Sequence, residues 1–253
     1  MENLGASAGW GLLVGGSLVA GSLVAAVLRL PEKVAATITA FGGGILLAAI
    51  ALELVPDAHA EAGKALTAAG LVAGTLVYVG ADSWLSRDRE MMKMRRAGHA
   101  AAAGQPMDMG GKEVSRGESI AVGLFIDGVP ESIALGLTIA EGEIGLALLV
   151  GIVVGNAVES YGAAQPILAG GRTKGFAIGL LTAIGGALLL ATVLGGTVLA
   201  DASPEFIGTA QAVAAGAVLA VVSIAIIPHA FQEVSGLVAT ATTAGFVAGY
   251  LLS

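Results

Sequence analysis

The sequence predicts an all-α, polytopic membrane protein with eight transmembrane helices, and three observations predict it. Hydrophobic residues make up 56% of the 253 and charged residues only 12%, about half the charge of an average soluble domain. Mean hydropathy is +0.87. The apolar residues fall into runs of about 20, the length that crosses roughly 30 Å of hydrocarbon as a helix, and most charges collect between the runs. There is no cysteine, which excludes disulfide frameworks, thiolate metal sites and thiol catalysis.

The expected spans are 8–28, 34–55, 65–85, 119–140, 144–168, 175–199, 206–227 and 235–252, within a single transmembrane domain over 1–253. Ahead of the first, Met1 to Gly9 carries one charge, Glu2, and lacks the basic start of a signal peptide. Arg29 and Lys33 separate the first two spans, and Pro56 to Lys64 the next two. A polar segment over 86–118 follows the third span, with methionines and His99, which is not expected to be a ligand. The last span is short and rich in glycine. The many Gly and Ala residues within the spans allow helices to approach closely.

Basic residues orient the bundle. With the N-terminus outside, Arg29, Lys33, Arg87, Arg89, Lys93, Arg95, Arg96, Lys112, Arg116, Arg172 and Lys174 all fall inside, and only Lys64 falls outside. That asymmetry follows the positive-inside rule, puts both termini outside and makes 86–118 a cytoplasmic loop. It also leaves no basic face for nucleic acid. The outer segments carry Glu2, Asp57, Glu61, Glu141, Glu143, Asp201 and Glu205, which would concentrate cations there.

Part of the chain repeats itself. When Gly44 is set on Gly216, Leu47 falls on Leu219, Ala48 on Ala220, Pro56 on Pro228 and Glu61 on Glu233. The second span runs outward and the seventh inward, so similar segments of opposite direction point to an inverted-repeat transporter. Chance matching in Ala- and Leu-rich sequence is the alternative.

A charge at the bilayer centre costs roughly 2.5 to 3.5 kcal/mol on insertion scales, so acids there mark a pathway or a site. Asp127 and Glu131 in the fourth span and Glu159 in the fifth lie deep, while Glu53 in the second lies nearer an end. Asp127 and Glu131 are four apart and share a helix face, as do Asn156 and Glu159, three apart. Pro130 has no N–H and frees the carbonyl of Ile126 beside these acids. Residues 127–132 read Asp-Gly-Val-Pro-Glu-Ser and 155–160 read Gly-Asn-Ala-Val-Glu-Ser, so each of two antiparallel helices supplies Glu-Ser. Three carboxylates without a basic partner repel one another unless protonated or bound to a cation. A divalent cation with oxygen ligands resolves this, and protonated acids tying helices together is the structural alternative.

These motifs, the eight spans and the long inner loop resemble the ZIP (ZRT/IRT-like) family of divalent metal transporters. That family carries His-Asn-x-x-Glu-Gly in its fourth span and His-x-x-x-Glu in its fifth, often with Pro before the Glu. Here Pro130-Glu131 matches the first motif, with Asp127 at the His position and Gly128 at the Asn position. Glu159 matches the second, with Gly155 at the His position followed by Asn156. Glu53-Leu-Val-Pro-Asp57 and Ile226-Ile-Pro-His229 resemble the endings of the family's second and seventh spans. The resemblance implies a 3+2+3 arrangement in which a unit containing spans four and five moves against spans two, three, seven and eight. It implies a metal site of Asp127, Glu131, Asn156 and Glu159, helped by Ser132 or Ser160. Both family histidines are missing and the sixth span has no acid, so the shell is oxygen-rich and leans toward Mn²⁺, Fe²⁺ or Mg²⁺, with Zn²⁺ still accepted by carboxylates. Secondary candidates are Asp57, His59 and Glu61 at the outer mouth, His229, Gln232 and Glu233 at the inner mouth, and Glu53 between centre and mouth; solvated helix ends explain each trio equally well.

The expected function is a secondary transporter importing a divalent metal across the plasma membrane by alternating access. The metal is its substrate and no organic cofactor is expected; the partners are membrane lipid, metal ions and a second copy in a homodimer. The alternative is a non-transporting homologue acting as a metal sensor or scaffold. An enzyme is not expected, because His-Glu-x-x-His does not occur. Because the chain lacks cysteine, orientation is open to a direct test: Ala103→Cys should react with an impermeant maleimide only from the cytoplasmic side, and Lys64→Cys only from the outside. Labelling of both from one side would overturn the topology.

Overall fold

The computed structural model describes residues 2–85, 113–142, 145–199 and 202–253; for Glu2, Glu32, Asp82, Trp84, Leu85, residues 113–122 and Asp127 it describes the backbone only. Most of the expected cytoplasmic loop, with its methionines and His99, lies outside the described residues, as do Glu143 and Asp201. Among the described residues every regular element is helical: α1 (Glu2–Val27), α2 (Glu32–Ala49), α3 (Val55–Leu85), α4 (Glu113–Ala140), α5 (Leu146–Ala169), α6 (Lys174–Thr197), α7 (Pro204–Val221), α8 (Ile227–Val234) and α9 (Leu237–Leu252). Short π-helical turns join α2 to α3 (Ile50–Leu54) and α7 to α8 (Val222–Ile226). An apolar chain in lipid has few other choices, because a helix satisfies its own backbone. Local signals set the ends. Thr173 and Ser203 accept the backbone N–H of Phe176 and Phe206, each three residues on, as N-caps do.

Six stretches are long and apolar enough to cross a membrane: Asn3–Val27, Lys33–Ala81, Gly123–Ala140, Leu146–Ala169, Lys174–Thr197 and Pro204–Val234. The chain is thus an all-α polytopic membrane protein. Leu237–Leu252 is apolar but shorter. The surface agrees: Leu12, Leu76, Val77 and Val198 are each more than 60% exposed, a pattern suited to lipid rather than water.

The sequence leads one to expect a loop between residues 55 and 65; the structure shortens it to a kink at Gly63, where two helices meet. The helix runs from α2 through the π turn into α3, and inside α3 only Gly63 (φ 75, ψ 166) leaves the helical region. Pro56 sits in the first turn after the π turn; its missing N–H leaves a carbonyl of that turn without its usual donor, and its ring crowds the carbonyl of Leu52 and favours a wider turn. Asp57 to Ala62 is rich in Ala and Glu, which hold a helix readily. The same sequence of events occurs again near the C-terminus. α7 enters a π turn, Pro228 opens α8, and Ser235 (φ 52) ends it. Ser235 is the one non-glycine residue with positive φ among the described residues.

The helices pack in two groups. α1, α4, α5 and α6 contact one another; α3 packs on α7, and α2 on α8 and α9, with the π turns joining these two sets, and the groups meet chiefly where α2 touches α5 and α4 touches α7. Leu18, Leu135, Leu148, Ile152, Leu181 and Leu188 fill the first group and the seam, while Ala36, Ala40, Ala230, Val234 and Val238 cluster where α2 meets α8 and α9. Backbones come close where glycines meet. A Cβ on Gly15 of α1 would lie 2.5 Å from the carbonyl oxygen of Gly185 on α6, and one on Gly185 would lie 2.6 Å from that of Gly15. Close approach of this kind supplies the dispersion contacts that hold helices together in lipid. Gly15→Ala should therefore lower the melting midpoint of the purified protein, by an overpacking cost of about 1–3 kcal/mol. Gly16→Ala, next along the chain but with nothing within 4 Å of its would-be Cβ, should leave the midpoint unchanged or raise it.

Candidate functional site

α4 and α5 form a hairpin that carries the expected site. Glu131 stands at the middle of Gly123–Ala140, and Asn156 and Glu159 near the middle of Leu146–Ala169. Glu131 is 5% exposed, Asn156 3%, and Ser132 and Ser160 are fully buried; Glu159 is half-buried. α4 remains helical through Pro130, so the ring leaves the Ile126 carbonyl without its usual donor. Ser160 turns its hydroxyl back to the carbonyl of Ala157 at 3.2 Å, on the side of α5 that Gly21 of α1 approaches. Ser132 Oγ and Asn156 Nδ2 are buried and have no hydrogen-bond partner among the described residues, and such groups call for a bound water, ion or ligand. Gly155 shares a helix face with Glu159 four residues on, and a Cβ built there would meet nothing within 4 Å. The space beside Gly155 is thus open at mid-span. Gly128 is the opposite case: a Cβ there would lie 2.8 Å from a methyl of Leu188 on α6.

The side chain of Asp127 lies outside the described residues. Among the described residues no three His, Asp or Glu side chains come together in a group able to hold a metal. That statement covers the outer-mouth trio. In α3, Asp57 and Glu61 share a face by their spacing of four, while His59 projects from another; Asp57 is half-buried and His59 and Glu61 are exposed. In α8, His229 is buried, Glu233 half-buried and Gln232 exposed.

Glu53 has a partner that the sequence did not reveal. α5 starts behind Gly145, which has no side chain to cap it. The carboxylate of Glu53, carried across from the π turn, does so instead: Oε1 accepts the N–H of Ala147 and Oε2 that of Leu148, each at 3.2 Å. Both donors are first-turn amides with no intrahelical acceptor, and negative charge is favoured at this end of a helix. A Cβ on Gly145 would lie 2.8 Å from Glu53 Oε2, so glycine there permits the approach. Nearby, Gln211 of α7, fully buried, donates from Nε2 to Glu141 Oε2 at 2.7 Å. The loop end of the hairpin is thus tied to the second helix group at two points. Its far end is tied to α1, where Tyr161 Oη accepts the N–H of Leu30 at 2.7 Å and Gln165 Nε2 donates to the Ala25 carbonyl at 3.2 Å. Sequence reasoning missed Gln211, Tyr161 and Gln165; the available signal was an isolated polar side chain within an apolar run.

No protein-family model matches the chain, and no curated protein matches it.

The cap makes a graded prediction. Glu53→Gln keeps one oxygen acceptor without the charge, and Glu53→Ala removes both. The melting midpoint should fall in the order wild type, Gln, Ala, with loss of a partly buried charged cap worth about 1–2 kcal/mol. Equal midpoints for all three would remove the cap from the account of α5.

Proposed function

We propose that the chain is an eight-span secondary transporter of divalent metal cations, similar to the ZIP family and divergent from it in its ligands. The observation that carries this reading is the pair Glu131 and Glu159, acids at the middle of two packed helices, beside the buried and unsatisfied Ser132 Oγ and Asn156 Nδ2. Apolar helices keep such groups at mid-depth for a pathway or a site, and a cation with oxygen ligands answers both the charge and the unmet polarity. Glu131 and Glu159 would hold the metal, Asp127 and Asn156 would complete its shell, and Ser132 or Ser160 would assist. Zn²⁺, Mn²⁺ and Fe²⁺ fit this donor set, and Mg²⁺ fits its hardness.

Two features support eight crossings. Lys33–Ala81 is 49 residues long, enough for two spans of about 20, and it breaks at Gly63. Leu237–Leu252 supplies a short last span. The repeat has support beyond residue identity. The alignment that sets Gly44 on Gly216 sets the π turn Ile50–Leu54 on the π turn Val222–Ile226, Pro56 on Pro228 and the positive-φ Gly63 on the positive-φ Ser235. The two helix groups likewise agree with a moving unit that includes α4 and α5 and a frame of α2, α3, α7, α8 and α9. At Gly128, where the family has Asn, a Cβ would press on the methyls of Leu188, so a larger residue there needs that side chain to shift. By charge distribution the protein would lie in the plasma membrane with both termini outside and import its metal, and a vacated carboxylate cluster would take up protons on the return.

A non-transporting metal sensor or scaffold is the second reading. What favours it is the loss of both family histidines, Asp127 and Gly155 standing at their positions.

Uptake by purified protein in sealed vesicles, with metals competing in pairs, tests the proposal. Saturable uptake is expected, and Glu131→Ala and Glu159→Ala should each reduce it on the order of tenfold or more, in the range found when metal-site residues are removed. Uptake that survives both substitutions in folded protein would overturn the site. Metal binding without uptake would favour the sensor.

A further inference from the structure

Where α1 and α5 end and α6 begins, the structure contains a cavity of about 390 Å³ whose lining includes Leu28, Arg29, Gln165, Leu168, Arg172 and Lys174. Its walls are held in place: Gln165 donates to the Ala25 carbonyl and Leu30 N–H donates to Tyr161, so the C-terminal end of α1 is hydrogen-bonded to α5. Three cationic side chains and no carboxylate stand among its described lining residues. The Arg172 guanidinium lies 4.7 Å from the ring centroid of Phe176, a cation–π distance. The amides of Lys174 and Gly175 open the 24-residue α6 and have no intrahelical acceptor, so the positive end of that helix faces the same region. Running from the mouth along α1 is an apolar strip: Leu23 is 49% exposed, Val24 38%, Val27 82% and Leu28 52%.

We propose that this cavity binds the phosphate headgroup of an anionic membrane phospholipid, whose acyl chains lie along the strip on α1. Cationic side chains and helix-start amides recognise phosphate oxygens, and basic pockets between membrane helices take anionic headgroups in this way. Free phosphate would use the cations but not the exposed strip, whereas a lipid uses both. The assignment rests on the membrane character of the chain and not on the ion it carries.

The test uses the full-length protein in neutral detergent, with phosphatidylglycerol, phosphatidylcholine or inorganic phosphate added, and reads bound lipid by native mass spectrometry and the melting midpoint. Phosphatidylglycerol should be retained in preference to phosphatidylcholine and should raise the midpoint, while inorganic phosphate should leave it unchanged. Arg29→Gln and Lys174→Gln should each weaken phosphatidylglycerol retention roughly fivefold, Arg29→Lys should preserve it, and Lys64→Gln at the other end of the bundle should have no effect. Equal retention of the two lipids, the same stabilisation by inorganic phosphate, or full retention in folded Arg29→Gln and Lys174→Gln proteins would overturn the proposal. The readout needs no metal, so its failure is distinct from failure of the transport reading.

Discussion

Hydrocarbon offers no hydrogen-bond partner, so every polar group this chain carries into the bilayer has to be met from within the bundle. Glu53 illustrates the constraint in both directions. Its carboxylate needs donors, and the first-turn amides of α5, behind a glycine that cannot cap them, need an acceptor; each resolves the other across a helix interface. Gln211 with Glu141, and Tyr161 and Gln165 with the end of α1, repeat the arrangement. The groups left over are then conspicuous. Ser132 Oγ and Asn156 Nδ2 are buried without a partner among the described residues, as are Ser7 Oγ, Gln211 Oε1 and Thr242 Oγ1, and the first two lie on the two helices that also bring glutamates to mid-depth.

Packing under the same constraint cannot draw on the hydrophobic effect, since lipid tails are as apolar as leucine. Close backbone contact takes its place, and small residues make it available, as at Gly15 against Gly185. The polar ties between the α4–α5 hairpin and the second helix group among the described residues include one carboxylate on two amides and one amide on one carboxylate.

Much of the fold was legible. Long apolar runs force helices in lipid whatever their neighbours, so the membrane class and most spans follow from composition and run length. The joined passage from α2 into α3 was not legible, because a proline and a few charges read equally well as a loop or as the first turn of a new helix. The π turn before Pro56 decided between them, and it depends on how a ring and a carbonyl share space. The site was legible in part. Glu131, Asn156 and Glu159 stood out because charge and amide are costly at mid-span, whereas the role of Glu53 could not be found from spacing, its partners being 94 and 95 residues away.

By itself, then, the sequence determined that the chain is helical, that it spans a membrane, and which side chains sit too deep to be there by accident, because those properties depend on transfer of each segment from water to lipid. Only the tertiary structure decided which deep groups are already satisfied and which are still open, since hydrogen bonds between helices depend on distances that no single segment contains.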